Sequence, residues 1–267
     1  MKKSLLVFSC LAILPLFLSC GDESVVEPVT QGQSWPEYCQ DVDPVNTELY
    51  PPGFCPHAPA YCTGPDGGLA AHEWPKHGSC TSLSQQAYYA QVYRAKKAID
   101  DSEGVQYIHQ KNGQTVPLRT AIEKFGGAGW VALSCDSNCR LSQVGICYAV
   151  EGDDTVGDRT PCPAIGVLDS GYNNSCQIKS CMSIEIPAKG QCSDVGEPLY
   201  VGNDYEGRSN APVGDFEYYY LALTWTNNFC CSNASEEACK NLADDSDAYA
   251  NKNLTIHGLW PQYNPIR

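Results

Sequence analysis

The sequence predicts a disulfide-rich α+β domain behind an export leader. Three observations carry that expectation: an amphipathic stretch after Ser82, two strand-like runs at 141–150 and 216–226, and 16 cysteines among 267 residues, fourteen of them after Cys20. With 43% hydrophobic and 18% charged residues, the chain can bury a core, which excludes disorder. Its 23 Gly and 18 Pro follow no period, which excludes a collagen-like or low-complexity chain. The formal net charge of −14 argues against general attraction to nucleic acid or anionic lipid.

Lys2 and Lys3, the apolar run from Leu5 to Leu18 and the small residues at Ser19-Cys20-Gly21 read as a secretory signal over 1–19. The run is too short for a comfortable membrane span, and no other stretch can cross one. Leu-Ser-Cys-Gly also resembles a bacterial lipobox. Two alternatives stay open: ordinary secretion, or a periplasmic or outer-surface lipoprotein with a lipid anchor on Cys20. Residues 20–34 read as a polar tether. From Trp35 to about Ala71 the chain is Cys- and Pro-rich without a period, as expected of loops pinned by bridges. Ser82 followed by Gln85 matches a capping box, after which Tyr88, Val92, Ala95 and Ile99 share one helical face, with Gly104 as the expected stop. A second helix starts near Pro117, carries Leu118, Ala121, Ile122 and Phe125, and ends at Gly126. The run Phe-Glu-Tyr-Tyr-Tyr-Leu-Ala-Leu-Thr-Trp from Phe216 suits a buried strand. Residues 163–213, with no helical period and no strong strand, read as a connector stapled by cysteines. The even cysteine count after the leader implies up to seven disulfides. A zinc protein would need paired Cys-x-x-Cys units, and the nearest spacings are wider, at Cys135/Cys139 and Cys176/Cys181. Sequons at Asn173, Asn233 and Asn253 matter only in a host that glycosylates.

Three of the five histidines lie in two compact clusters, His72-Glu73-Trp74-Pro75-Lys76-His77-Gly78 and Thr255-Ile256-His257-Gly258-Leu259-Trp260-Pro261. A zinc protease needs His-Glu-x-x-His, which sets both imidazoles one helical turn apart. Here the second His comes one residue later, past Pro75, and Lys76 would repel a cation. The first cluster instead gathers two proton carriers, a fixed cation and a carboxylate, a set suited to an anionic, phosphate-bearing transition state. The third His, beside a Trp, adds the opposite proton carrier and a stacking face for a base. These residue types point to acid–base chemistry on a phosphodiester, with no metal and no cofactor. His57 and His109 lack a matching motif and read as structural or surface residues.

The two clusters resemble the active-site segments of the ribonuclease T2 family of secreted acid endoribonucleases. Residues 216–230 resemble that family's first strand and the cysteine after it, and 141–147 with Cys162-Pro163 resemble its last strands. The resemblance covers most of 35–163 and 214–267 and implies one domain over 35–267, a central antiparallel sheet packed by helices. The segment order is inverted: the Ile-His-Gly-Leu-Trp-Pro segment, first in the family, comes last here. A circular permutant accounts for this, opened in the loop after that segment, with the old termini joined through 163–213. It requires 31–39 to lie beside 262–267.

By the same resemblance, Cys39 pairs with Cys80, and His257 and His77 form the acid–base pair. His77 takes the proton from the ribose 2′-OH while His257 protonates the leaving 5′-oxygen, and the roles reverse when water opens the 2′,3′-cyclic phosphate. His72 holds the phosphate, Glu73 and Lys76 stabilise the phosphorane, and Trp260 stacks on a base. Gln262 stands where many relatives carry an acidic residue that helps to read the base. Pro75 falls at a variable position, tolerable early in a helix. The implied partner is single-stranded RNA, not DNA, bound by a monomer with little base specificity. An acidic optimum is expected, because histidines charge and carboxylates neutralise at mildly acidic pH. The alternative is a catalytically inactive, disulfide-stapled secreted binding protein on the same fold.

Overall fold

Alternate side chains of the tyrosine-rich run after Glu217 face opposite sides of one antiparallel sheet, and both sides are covered. The structure, a computed structural model, describes residues 35–64, 66–162, 175–178, 180–191, 208–209, 211–233, 239–240 and 248–263. In chain order these form strand β1 (Pro36–Glu37), helices α1 (Phe54–His57), α2 (Ala70–Lys76), α3 (Gln85–Asp100) and α4 (Glu103–Gln110), strand β2 (Gln114–Pro117), helix α5 (Leu118–Lys124) and strands β3 (Ala132–Cys135), β4 (Leu141–Glu151) and β5 (Thr155–Thr160). Helix α6 (Ser175–Ile178), strands β6 (Ser183–Ile186), β7 (Arg208–Ser209) and β8 (Tyr218–Thr224), helix α7 (Thr226–Ser232) and strand β9 (Thr255–Gln262) follow.

The main sheet runs β3-β4-β8-β9 with every neighbour antiparallel, and β5 also pairs with β4. On β8, Tyr219, Leu221 and Leu223 enter the large core, while Tyr218, Tyr220 and Ala222 pack with Ala132, Cys147, Cys162 and Trp260 on the other face. Burial on both faces explains why this strand shows no polar alternation. Tyr88, Val92, Ala95 and Ile99 of α3 are all buried in the large core. Two phenols tie this helix to the sheet: Tyr88 Oη donates to the Leu259 carbonyl and Tyr148 Oη to the Ala95 carbonyl, each at 2.8 Å. Such buried hydroxyls must find acceptors, so each fixes the helix against the strands as well as filling space.

Four local expectations are corrected. The cap of α3 is Ser84, whose Oγ accepts from Ala87 N at 3.3 Å, rather than Ser82. Gly104 does not end a helix. It lies in α4, which opens at Ser102, and a Cβ there would come within 2.4 Å of the Phe125 ring, so the glycine lets α5 pack against α4. The 163–213 connector does carry a strand: β6 pairs antiparallel with β2, and its Ile184 and Ile186 are fully buried. Pro75 occupies the last turn of α2 rather than the first. Its missing N–H costs little there, since the helix closes at His77, whose N–H still reaches the Glu73 carbonyl at 2.9 Å.

Six disulfides join described residues: Cys39–Cys80, Cys55–Cys62, Cys135–Cys176, Cys139–Cys181, Cys147–Cys162 and Cys230–Cys239. Cys231 is disulfide-bonded as well. The two bridges to Cys176 and Cys181 fasten the connector to β3 and the turn after it. Among the described residues no helix is long and apolar enough to cross a membrane. The leader, Cys20, the tether to residue 34, the Asn173 sequon, much of the connector and residues 264–267 lie outside the described residues, as does most of the contact expected between 31–39 and 262–267.

Gly104→Ala tests the packing of α4 on α5. In an exposed helix this change stabilises by about 1 kcal/mol. Here overpacking against Phe125 reverses the sign, with an expected loss of about 1–3 kcal/mol read from the urea midpoint.

Candidate active site

Helix α2 presents one cluster. Its hold on the fold is Trp74, 5% exposed, whose Nε1 donates to the Asp43 carbonyl at 3.1 Å. Gly78 follows because a Cβ there would fall 2.2 Å from the Trp74 ring. With Trp74 and Glu73 turned inward, His72 and Lys76, four residues apart, share the outer face. After the helix, His77 is buried at 5% exposure and Cys80 is locked to Cys39.

Strand β9 presents the other cluster. Ala222 pairs with Gly258 and Leu223 with Ile256, so His257, which lies between them, is the extra residue of a bulge. Bulges of this kind re-aim side chains beside functional sites. Past the bulge, Gly258, Trp260 and Gln262 pair with Ala222, Tyr220 and Tyr218 and share their face of the sheet. Gly258 must lack a side chain, because a Cβ would lie 2.1 Å from Glu73 Oε2 and 2.3 Å from Trp260 Nε1.

The two clusters meet at Glu73. Trp260 Nε1 donates to Glu73 Oε2 at 2.5 Å, across 187 positions of sequence, and His257 Nε2 lies 3.7 Å from Glu73 Oε1. Thr224 Oγ1 meets His257 Nδ1 at 3.3 Å, and Tyr61 Oη donates to the His257 carbonyl at 2.9 Å. Trp260 stacks on Tyr220 with centroids 5.7 Å apart and lies 5.3 Å from the His77 ring. Its indole therefore braces Glu73 and His77, a role additional to the base stacking expected of it. Gln262 is fully buried, and neither amide atom has a hydrogen-bond partner among the described residues. His77 Nδ1 likewise has none.

The electrostatics follow from crowding. Burial pushes the Glu73 carboxyl up to about 8, against the opposing pull of the Trp260 hydrogen bond and the Lys76 charge. At mildly acidic pH it is a neutral acid able to donate a hydrogen bond. Burial, then Lys76, His72 and His257, hold His77 well below the ordinary histidine value. Burial and Lys76 also lower His72, while Glu37 raises it. Enclosure by protein atoms, then the charge of His72, lowers His257. Because 37% of that side chain remains open, water offsets part of the penalty. The site thus holds three imidazoles that resist protonation.

Sequence reasoning brought His72, Glu73, Lys76, His77, His257 and Trp260 forward, and the fold brings all six together. It missed Glu37, whose Oε2 lies 3.6 Å from Lys76 Nζ, and the supports Thr224, Tyr61 and Tyr220. Spacing carries no signal for any of them. His57 and His109 lie elsewhere: His57 Nδ1 is 3.5 Å from Asp100 Oδ2, and His109 Nε2 accepts from Leu254 N at 3.2 Å.

Glu73→Gln tests the buried acid. A carboxyl raised from 4.5 to about 8 favours the folded state fully below pH 4.5, and that contribution is lost as pH rises through 8. The variant escapes this loss. Its melting temperature relative to wild type should therefore rise between pH 5 and pH 9, and a constant difference would contradict the raised value.

The ribonuclease T2 family model matches residues 216–266, which hold β8, β9, His257 and Trp260. The chain is similar to ribonuclease S-2 of Solanum tuberosum, 38% identical over 60 residues and 22% of each chain. It is 30% identical over 132 residues to a ribonuclease T2-like protein of Emericella nidulans, covering 39% of this chain and 31% of the relative. It is also 45% identical over 47 residues to ribonuclease S-F11 of Nicotiana alata, covering 18% of each. The chain spans less than a third of the length of these curated relatives. No solved structure gives a significant match. The matched strands carry one histidine cluster, and α2 brings the other against it, so the similarity to the ribonuclease T2 family falls on one half of the candidate site.

Proposed function

We propose that the site cleaves single-stranded RNA by transesterification, without a metal ion or cofactor. The observation that carries this is the convergence of His257 and Trp260 on Glu73, within a cluster that also holds His72, Lys76 and His77. His77, the more enclosed imidazole, stays neutral and takes the proton from the ribose 2′-OH. The 2′-oxygen attacks phosphorus, the bond to the 5′-oxygen breaks, and His257 gives that oxygen its proton. This leaves a 2′,3′-cyclic phosphate, which water opens with the two histidines exchanging roles. The nucleophile is part of the substrate, so the protein need supply only a base, an acid and charge stabilisation. His72 holds the phosphate. Lys76 and the neutral Glu73 acid stabilise the phosphorane oxygens. Trp260 offers its part-exposed indole to a base.

Residues 35–267 act as one domain in circularly permuted order, monomeric and exported as a secreted protein or lipoprotein. The short matches to the relatives support the permuted order, since an alignment in chain order can follow only one of two exchanged pieces at a time.

The pH dependence has a fixed sign. The general acid must be protonated, and histidine values lowered in the free protein push that requirement to acidic pH. A phosphate in the site lifts them again, but only in part. Cleavage of a defined RNA should rise from pH 8 toward pH 5, survive excess EDTA and leave cyclic phosphate ends. His77→Ala should lose about 10²–10⁴-fold in kcat. A maximum above neutrality contradicts the assignment. No cleavage by folded, fully oxidised protein favours the inactive binding protein instead.

A further inference from the structure

Among the described residues, the connector meets the candidate site at the Glu37 carboxylate. β1 pairs in parallel with β7, setting Pro36 beside Arg208 and Glu37 beside Ser209. Ser209 Oγ donates to Glu37 Oε1 at 3.3 Å, and Trp35 Nε1 donates to Glu37 Oε2 at 3.3 Å. The same Oε2 lies 3.6 Å from Lys76 Nζ, and the two side chains are only 17% and 24% exposed. The backbone is fastened at the same place: Tyr38 N–H reaches the Lys76 carbonyl at 2.9 Å, Cys39 N–H reaches Ser79 Oγ at 3.1 Å, and Cys39 is bonded to Cys80.

Given the RNA-cleaving function proposed for the site, we propose that Glu37, held by the connector strand β7, is the positioning residue that fixes Lys76 and sets its availability to phosphate. Three features separate this pair from an ordinary surface ion pair, which contributes little. Both partners are mostly covered, the carboxylate is held by two further donors, and its backbone is tied to the lysine's own carbonyl. A lysine ammonium on four methylenes has wide rotamer freedom, so a held carboxylate narrows where it can stand. Glu37 also faces His72, on which its charge opposes that of Lys76. The same negative charge repels an incoming phosphate. Glu37 therefore improves the placement of Lys76 and weakens ground-state binding, two effects that kinetics can separate.

The test uses Glu37→Gln, which keeps the shape and loses the charge, and Ser209→Ala, which keeps the charge and loosens its tether to the connector. For RNA cleavage at pH 5.5, Glu37→Gln should lower kcat about tenfold while KM falls, and Ser209→Ala should move both in the same direction by less. In a Lys76→Ala background, Glu37→Gln should lower kcat no further, since it acts through the lysine. Two readouts need no turnover. The His72 ring, followed by NMR titration of the free protein, should titrate at lower pH in Glu37→Gln, and inorganic phosphate should bind about three- to tenfold more tightly. An unmoved His72 midpoint with unchanged phosphate affinity overturns the proposal, as does an additive loss of kcat in the Lys76→Ala background. If the wild type cuts no RNA, the proposed function falls, and the titration and phosphate binding still decide whether Glu37 governs Lys76.

Discussion

The Glu73 carboxyl group, 1% exposed, is where α2 and β9 meet, and most of the site's geometry follows from how it is held. A buried carboxyl costs several kcal/mol as an anion without compensation, and far less as a neutral acid with its hydrogen bonds made. Trp260 supplies one bond, so the indole must lie flat against this part of the sheet. That leaves Tyr220 as its stacking partner and places His77 beside it. Gly258 has to be glycine for the same reason, since any side chain would displace the carboxyl group or the indole. The two histidines proposed as acid and base are thus aligned by contacts that neither makes with the other.

The sheet supplies the second constraint. A regular β9 would alternate strictly, and its histidine could not be set against Glu73 while Leu259 and Ile256 both face the large core. The bulge at His257 resolves this with one extra residue. Thr224 and Tyr61 then hold the irregular position from both sides, one on the ring and one on the carbonyl. Aromatic hydroxyls from α3 and the α1 region bond to β9 carbonyls at Leu259 and His257, so the strand bearing His257 is tied to the helical side at two points.

Much of this was legible in the sequence. Both clusters, the apolar face of α3, the long strands β4 and β8, and the Cys39–Cys80 pairing inferred from family resemblance all stand in the fold. What was not legible depends on partners distant in sequence. Gly104 looks like a stop because glycine is a poor helix former, and only the Phe125 ring explains its place inside α4. Ser82 and Ser84 are equally good caps on paper, and the backbone trajectory chooses between them. The Ser-Ile-Glu-Ile strand β6 is too short to show a period and exists because β2 offers it an edge. Glu37 lies in a segment that resembles the family's but carries no sign of a site residue, and its place beside Lys76 comes from a turn of chain that a disulfide folds back onto α2.

An acidic chain proposed to act on a polyanion needs a local remedy, and the site offers one that depends on protons. Its formal charge of −14 repels RNA at a distance. Within the cluster, Glu73 is neutral at mildly acidic pH, so the carboxylate nearest the reaction does not add to that repulsion. Lys76 is shared with Glu37 rather than left as an open cation. The imidazoles resist charging because His77 is enclosed, His257 and His72 are covered in part, and His77 and His72 also lie near Lys76. A phosphate relieves that mutual repulsion, so binding the substrate and protonating the site become one linked event. Each favours the other by the same free energy, as linkage requires. Affinity is then highest where protons are plentiful and falls away toward neutrality, where the unliganded site is uncharged apart from a lysine already paired. The acid preference proposed for the chemistry would follow from that coupling.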